Sequence, residues 1–358
     1  MKINPEMVVL AREFRNMTQE ELAQKLFVSQ AKVAKLEGGI ATDVSEVLSD
    51  QLCDALKLPL EFFTQKEDVI GFGSSAYFYR KKDKLTATDR KQIHSWVNIL
   101  RIHLKKMLEA IEIDSKRTLP RADIEEYGGS ATKAAKALRA TWGVPDGAIS
   151  NITSLIESSG VVVIPVNFDT DFMDGTCLRL NEMPPLIFIN SNQSGDRMRF
   201  TLAHELAHLI LHDVAHEKME NEADEFASEF LMPEAELAPQ FSRLGKIRLV
   251  DLSNLKSYWK CSIQALLMRA KHLGFVTKNQ ARYLWVQISK QGWRTQEPNE
   301  IEREKAKTYL NILNYFKNTL GYEQDDFVKM FKIPLNDLYL LYASIFPQRP
   351  KKHHLHVV

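Results

Sequence analysis

The sequence predicts a multidomain, mainly α-helical protein, with an all-α helix-turn-helix domain, an α+β domain built on a small sheet, and further helices at the C-terminal end. Three observations lead to this fold class. Two short helical patterns joined by a turn of three to four residues lie between Thr18 and Gly38. Short apolar runs bounded by turn residues follow Gly160. Apolar residues recur at helical spacing through most of the remaining chain.

Length, charge and cysteine content limit the class of protein. The chain has 358 residues, enough for two or three domains. Its 47 Lys and Arg residues nearly balance its 46 Asp and Glu residues, so the net charge of +1 predicts no bulk attraction to nucleic acid. The three cysteines are far apart and form no metal-type pair, which is typical of a reducing cytosol. There is no signal-peptide region and no apolar run near ~18 residues, so we expect a cytoplasmic protein without a membrane partner.

Four regions are expected along the chain. They are a helix-turn-helix domain over residues 1–66, a helical linker over 67–120, the α+β domain over 121–292, and a C-terminal helical region over 293–358. The linker begins with a glycine- and serine-bearing stretch over residues 69–80 and continues into a long amphipathic helix. The C-terminal region predicts a helical pair over residues 300–346 and a polar, histidine-bearing tail, and the sequence reveals no role for it.

Five short helices are predicted between residues 3 and 63, and two of them carry the informative pattern. Thr18 and Glu21 form a capping box that opens the first of the two. Ser29 can cap the second, whose inner face carries Val33 and Leu36. This segment resembles the phage-repressor-like (XRE-type) helix-turn-helix domains.

The resemblance implies that the second helix enters the major groove of an operator in double-stranded DNA. The residues implied to face the groove are Gln30, Ala31 and Lys35, and those implied to lie near phosphates are Gln19 and Lys32. Such domains bind pseudo-palindromic sites as dimers, so a homodimer is a candidate assembly.

Two features depart from that family. Phe27 occupies the turn position where the family usually has glycine. Residues 1–65 carry 7 basic and 10 acidic residues, a net charge of −3, whereas DNA-binding domains are usually basic. Residues 66–110 carry 10 basic and 5 acidic residues, which would restore attraction to phosphate if they lie beside the recognition helix. A repressor-like fold kept for protein contacts is therefore an open alternative.

Three short strands are predicted ahead of the most informative helix. They occupy the run from Gly160 to Pro165, residues 172–180 and residues 186–190. Asp174-Gly175 is a turn signal between extended segments. A small sheet followed by helices is an α+β order.

The informative helix spans Thr201 to His212 and is apolar at most positions. His204-Glu205-x-x-His208 puts two imidazoles one helical turn apart on one face, where a zinc ion can accept both nitrogens at ~2.0–2.1 Å. Glu205 lies beside that face, within reach of a water on the metal, whose proton it can accept. The pattern predicts a zinc site with Glu205 as catalytic base.

A zinc site of this kind needs a third protein ligand. The helix predicted over residues 219–233 offers Glu220 and Asp224, one turn apart. Glu220 can ligate while Asp224 accepts the outer N–H of a ligand histidine, the supporting contact that such sites need. Glu222 is the rival ligand, and it points about 200° away from Glu220 around the helix.

His212 and His216 continue the four-residue spacing. Each four-residue step rotates a helix by about 40°, so four such histidines cannot converge on one ion. We expect His216 in the loop after the helix and neither residue as a ligand, with His212 a candidate hydrogen-bond donor to the substrate.

The two helices together resemble the ImmA/IrrE family of metallopeptidases. The resemblance rests on Arg-x-Arg-Phe-Thr-Leu-Ala-His-Glu-Leu-Ala-His-Leu-Ile-Leu-His over residues 197–212 and Glu-x-Glu-Ala-Asp-x-Phe-Ala-x-Glu-Phe-Leu-Met-Pro over residues 220–233, within a match to roughly residues 121–290. It implies a zincin-like fold, with Zn²⁺ held by His204, His208 and a glutamate, for which the alignment favours Glu220. It also implies Glu205 as catalytic base.

The function implied by this family is cleavage of helix-turn-helix repressors, encoded nearby or contained in this chain. Because an edge strand commonly holds the substrate of such peptidases in extended form, residues 172–180 are the candidate strand. The leading interpretation is a transcriptional regulator with zinc-dependent endopeptidase activity, acting in a stress, phage or mobile-element response. One alternative is a DNA-binding transcription factor whose metal domain senses or stabilises without proteolysis. Another is an antitoxin-like interaction protein.

Overall fold

The computed structural model describes residues 1–71, 85–168, 170, 172–343 and 345–346. These residues form two compact units. Unit 1 contains residues 1–71, 85–112 and 310–346, and unit 2 contains residues 113–309. Most of the glycine- and serine-bearing stretch and the histidine-bearing tail lie outside the described residues. No described helix is both long and apolar enough to cross a membrane.

Unit 1 begins with the five short helices that the sequence predicts, followed by the long amphipathic one. They are α1 (Pro5–Phe14), α2 (Gln19–Lys25), α3 (Gln30–Glu37), α4 (Glu46–Leu56), α5 (Leu60–Phe63) and α6 (Ala87–Leu108). The capping box of Thr18 and Glu21 is formed at the start of α2, and the Ser29 hydroxyl accepts from the backbone N–H of Lys32 at the start of α3. Capping therefore sets where both helices begin.

The connection between α2 and α3 contains a residue in the left-handed region. Phe27 has φ +53° and its side chain is 87 % exposed. A glycine adopts this conformation without steric cost, whereas a residue with a Cβ does so at a cost. The turn thus has the backbone conformation that favours glycine, although phenylalanine occupies the position.

A buried ion pair ties α1 to the end of α3. The Arg12 guanidinium donates to both carboxylate oxygens of Glu37, at 2.6 and 3.0 Å, and also to the Met17 carbonyl. The Gln19 side chain donates to the same Glu37 carboxylate at 2.8 Å. Gln19 is therefore held by α3 in this structure, because Glu37 fixes its amide.

The C-terminal helices belong to the core of unit 1. They are α15 (Lys307–Asn314), which continues into a π-helical turn (Tyr315–Thr319), α16 (Gln324–Phe331) and α17 (Leu335–Leu341), with the division between units after residue 309. Buried His103 of α6 stacks on Phe331, with ring centroids 4.2 Å apart, and Arg15, which follows α1 directly, pairs with Asp337 at 2.6 Å. The prediction of two helices over residues 300–346 is therefore wrong, because the described residues form three. Lys332, with φ +56°, and Pro334 separate α16 from α17.

Unit 2 combines eight described helices, one short 3₁₀ turn and a three-stranded sheet. The elements are the turn Ile124–Tyr127, α7 (Ala131–Thr141), α8 (Ile152–Glu157), β1 (Val162–Val166), β2 (Gly175–Leu178), β3 (Leu186–Asn190), α9 (Gly195–Leu211), α10 (Met219–Leu231), α11 (Glu234–Leu244), α12 (Leu249–Trp259), α13 (Ile263–His272) and α14 (Lys278–Lys290). The three predicted strands are confirmed, and the chain order is α+β.

The sheet has the strand order β1–β3–β2. β1 pairs with β3 in parallel, with Ile164 opposite Phe188. β2 pairs with β3 in the antiparallel sense, with Thr176 opposite the same Phe188. β2 is therefore an edge strand of the described sheet, and α9 packs against it and against β3.

The start of α9 is held by buried charges from distant parts of unit 2. Lys256 of α12 is only 2 % exposed and donates to Asp196 at 2.6 Å and to Glu297 at 3.0 Å. Burial alone would raise the pKa of Asp196, but the hydrogen bond from Lys256 and a second one from Ser194 outweigh burial and lower that pKa. These contacts fix the first turn of the helix that carries both histidines.

Residues 297–308 are bound along this part of unit 2. The Arg199 guanidinium pairs with Glu304, whose carboxylate also accepts from the backbone N–H of Thr153 at 2.7 Å. A Cβ at Gly195 would lie 2.2 Å from the Ile301 carbonyl oxygen, so only glycine permits this approach. The contacts accordingly divide the chain after residue 309, whereas the sequence suggested a boundary at 292.

We expect Lys256→Met to destabilise unit 2 by about 3–5 kcal/mol, because it leaves the buried carboxylates of Asp196 and Glu297 without their cation. The thermal midpoint of unit 2 should fall by at least about 6 °C. Lys271→Met removes the same charge from an exposed site and serves as control. An equal melting temperature for Lys256→Met and wild type, by calorimetry, would contradict this role.

Candidate metal centre

Two histidines face one another on successive turns of α9. The Nε2 atoms of His204 and His208 lie 3.1 Å apart, as residues i and i+4 of a helix allow. The helix is buried on most sides, and His208 itself is 2 % exposed while the His204 side chain is 15 % exposed. The predicted histidine pair is therefore formed, with its open side at His204.

Glu220 of α10 completes the group. One of its carboxylate oxygens lies 3.9 Å from the Nε2 atom of His204, and the other lies 3.7 Å from the Nε2 atom of His208. Donor atoms from all three residues lie within 4.8 Å of one another. Tetrahedral zinc with bonds of about 2.0–2.1 Å separates its ligands by about 3.3 Å, so these side chains fit one ion after small movements.

Asp224 supports the pair from the next turn of α10. Its carboxylate lies 2.8 Å from the Nδ1 atom of His204, which leaves Nε2 of that ring directed at Glu220 and His208. Burial alone would lower the pKa of His204, but the hydrogen bond and charge of Asp224 outweigh burial and raise it. Burial and the neighbouring His204 hold the pKa of His208 well below its ordinary value, so that ring is neutral, as a metal ligand must be.

Glu205 of α9 faces the edge strand β2. It is 5 % exposed, and burial together with its carboxylate raises the pKa of the Cys177 thiol well above the ordinary range. Cys177 therefore stays protonated and donates to Glu205. A Cβ at Gly175 would lie 2.9 Å from the Thr201 methyl group and 3.5 Å from Cγ of Glu205, so glycine is required where the strand passes this side chain.

A second cluster lies directly behind the first. The Nε2 atom of His212 is 3.1 Å from a carboxylate oxygen of Glu222, and that of His216 is 3.6 Å from the same oxygen. The Nδ1 atoms of His208 and His212 are 2.6 Å apart. The expectation that His212 donates to the substrate is wrong, because its side chain is fully buried between His208 and Glu222.

The structure thus sorts the predicted residues into separate groups. His204, His208, Glu220 and Asp224 meet, and Glu222 turns away from them to the second cluster. His216 lies in the loop after α9, as predicted. The DNA-contact candidates belong to unit 1, where Gln30, Ala31, Lys32 and Lys35 are exposed and Gln19 is half-buried.

Two contacts at the centre were not anticipated from the sequence. Cys177 was considered only as an isolated cysteine, and Gly175 only as a turn residue. The alternation of strand 172–180 could have placed both on the side facing α9, since residues two apart share a face. The contact between His212 and Glu222 had a weaker signal, namely the continued four-residue histidine spacing.

A groove in unit 2 reaches the same region. α9 contributes Arg197 and Phe200, α10 contributes Asp224, and α13 contributes Met268. Residues 294–297 and 299–301 line another part of it. Because Asp224 also contacts His204, the groove borders the metal centre and offers both charged and apolar surface to a ligand.

Residues 156–271 match the family model of the IrrE N-terminal-like domain, peptidase M78. The matched range contains both histidines, Glu205 and Glu220. A search of curated proteins found no significant match to the chain. Residues 156–271 are therefore similar to a metallopeptidase domain of the IrrE/ImmA type, and peptidases of the matched family depend on a metal that is usually zinc.

We expect one tightly held zinc ion per chain when metal is supplied at one equivalent. His204→Ala and Glu220→Ala should each lose the ion of this centre on dialysis and retain less zinc than wild type, because two remaining donors hold zinc poorly. Glu222→Ala should retain it, since Glu222 contacts the second cluster. The zinc content of each variant is measured by mass spectrometry. If Glu220→Ala retains the ion and Glu222→Ala loses it, Glu222 and not Glu220 is the third ligand.

Proposed function

We propose that this protein is a DNA-binding transcriptional regulator with a zinc-dependent endopeptidase activity, and that its substrate is a helix-turn-helix repressor. The observation that carries the enzymatic part is the arrangement of three donors, His204, His208 and Glu220. Glu205 follows His204 in α9, and the charge of its carboxylate acts on that ring. Three protein ligands leave a fourth position for water, whereas a structural zinc site closes all four with protein.

The donor set suits zinc, since two imidazoles and one carboxylate are typical of catalytic zinc sites. When bound, zinc would lower the pKa of a water and polarise the peptide carbonyl. Glu205 would accept the proton of that water and pass it to the leaving amine. The thiol of Cys177, by donating to Glu205, would orient this carboxylate between the two transfers. Asp224 would hold the ring of His204 with Nε2 toward the ion.

Edge strand β2 supports a peptide substrate bound in extended form. Among the described residues β2 pairs with β3 alone, so its other side offers backbone donors and acceptors to an added strand. Gly175 brings this strand within contact distance of the Glu205 side chain. A peptide paired with β2 would therefore run past the proposed catalytic base. In this mode of binding the hydrogen bonds go to the backbone of the peptide. Preference for particular side chains would come from the adjacent groove.

The DNA-binding part is supported by α3 and its caps. Gln30, Ala31, Lys32 and Lys35 project from this helix into solvent, while Val33 and Leu36 pack inward. Sequence-selective contacts would come from Gln30, Ala31 and Lys35, and phosphate contacts from Lys32. Gln19 would contribute less directly, because Glu37 already accepts its amide. A homodimer on a pseudo-palindromic operator would double these contacts.

Only part of the basic charge of α6 would be available for attraction to phosphate. Arg101 donates to the Asp68 carbonyl and Lys105 pairs with Glu67 at 3.0 Å. Burial lowers the pKa of Lys106 to about 8, and its ammonium donates to Gln65. These three cations are used inside unit 1, so the basic excess of residues 66–110 is only partly available to DNA.

We predict that Glu205→Gln keeps its zinc but loses roughly 10²–10⁴-fold in cleavage rate, because the amide cannot accept a proton. N-terminal labelling and mass spectrometry in cells should find a new N-terminus inside a helix-turn-helix repressor with the wild type and not with Glu205→Gln. Glu182→Gln, in the exposed turn between β2 and β3, is the control. If Glu205→Gln cells regulate their target genes like wild type, the metal domain is a sensor and proteolysis is not the mechanism.

We also predict that the full chain binds a specific duplex operator. Lys35→Ala should relax base preference, at a cost of about 1–3 kcal/mol on the preferred site. Lys32→Ala should weaken binding to all DNA sequences alike and reduce the slope of log affinity against log salt concentration by about one. Lys329→Ala, an exposed lysine of α16, removes the same charge as control. Absence of selective binding at low salt, measured on a random duplex library, would favour the protein-contact alternative.

A further inference from the structure

We propose that His212, His216 and Glu222 form a second divalent-metal site, here called the outer site, that is negatively coupled to the inner site of His204, His208 and Glu220. The inference rests on the proposed function only in requiring that the inner site bind a metal. It assigns a binding role to three residues that catalysis does not use.

The outer site has the geometry that an ion requires. The Nε2 atoms of His212 and His216 lie 3.1 and 3.6 Å from one oxygen of Glu222, close to the separation of about 3.3 Å between ligands of tetrahedral zinc. All three donors lie within 4.8 Å of one another. Burial rises from His216, 42 % exposed, through Glu222 to His212, which is fully buried. An ion could thus enter from solvent at His216 and keep water there as a further ligand.

The ligand types select the class of metal. Two imidazoles and one carboxylate suit zinc, cobalt(II), nickel or copper(II), whereas magnesium and calcium prefer sites built from oxygen alone. The inner site has the same donor set. The two sites would therefore draw on the same pool of metal, and only their surroundings would distinguish them.

The coupling follows from the hydrogen bond between the two sites. A neutral imidazole carries one N–H, and the Nδ1 atoms of His208 and His212 are 2.6 Å apart, so only one of them can hold the hydrogen. A metal on Nε2 of His208 puts that hydrogen on its Nδ1, which then donates to Nδ1 of His212. The hydrogen of His212 must then be on Nε2, where it donates to Glu222.

An ion in the outer site requires the opposite arrangement. Nε2 of His212 must be free of hydrogen to ligate, so its N–H moves to Nδ1 and faces His208. Loading both sites therefore breaks the hydrogen bond between the rings or removes a proton to leave an imidazolate. Either change costs free energy, so each ion weakens the other by the same factor. A filled inner site instead stabilises the chain from His208 through His212 to Glu222, which holds the ring of His208 in place.

Cobalt(II) titration of the metal-free full chain, followed by visible absorption and by calorimetry, tests the outer site. The wild type should bind one ion tightly and a second more weakly. His216→Ala should keep the first phase and lose the second, because it removes an outer ligand without touching the contact between His208 and His212. His272→Ala removes an exposed histidine from α13 and should keep both phases. A second phase unchanged in His216→Ala, or absent from the wild type, overturns the site.

The coupling is tested with an emptied inner site. Glu220→Ala should bind cobalt at the outer site with an affinity higher than that of the second wild-type phase, within the roughly 5–150-fold range typical of coupled sites. Equal affinity would show that the sites are independent and overturn the coupling. If instead Glu220→Ala and His204→Ala leave the first phase unchanged, the inner site, and with it the proposed function, has failed independently of the outer one.

Discussion

The packing of α10 against α9 is the constraint on which the chemistry of unit 2 depends. Across this contact Asp224 meets His204, Glu220 meets the pair His204 and His208, and Glu222 meets His212. Neither helix holds a complete donor set by itself. A shift of one residue in their contact would exchange Glu220 for a side chain facing elsewhere, since successive residues are rotated by about 100° around a helix. The buried alanines of both helices and the buried phenylalanines of α10 therefore set the metal centre as much as the ligands do.

The sequence predicted those parts of the molecule that follow from local spacing. The one-turn intervals between His204 and His208 and between Glu220 and Asp224 anticipated which side chains would meet, because helical geometry fixes the face that each occupies. The strands and the capped helices followed from turn residues and capping boxes in the same way. The angular separation of Glu220 and Glu222 on the helix indicated that only one of them could join the histidine pair, and the family resemblance favoured Glu220. The structure places the two carboxylates at different clusters.

Contacts set by distant parts of the chain could not be anticipated in this way. The position of His212 depends on how α10 docks, which no periodicity in residues 201–216 specifies. Gly175 reads as a turn residue, whereas the close approach of β2 to α9 is what excludes a Cβ there. Residues 297–308 belong with unit 2 because buried partners such as Lys256 bind them, and a buried ion pair across 41 residues has no local signal.

The order of the chain in unit 1 has a consequence for its biosynthesis. Unit 1 is assembled from the first part of the chain and from residues 310–346, with the whole of unit 2 between them. During translation the sequence of unit 2 leaves the ribosome complete and can fold, while α1 and α6 still lack α16 and α17. The partners of Arg15 and His103, which are Asp337 and Phe331, are synthesised after the whole of unit 2. A nascent chain would therefore hold a folded unit 2 before the helices of unit 1 reach their final packing, and a ribosome that stalls before residue 331 would carry such an intermediate.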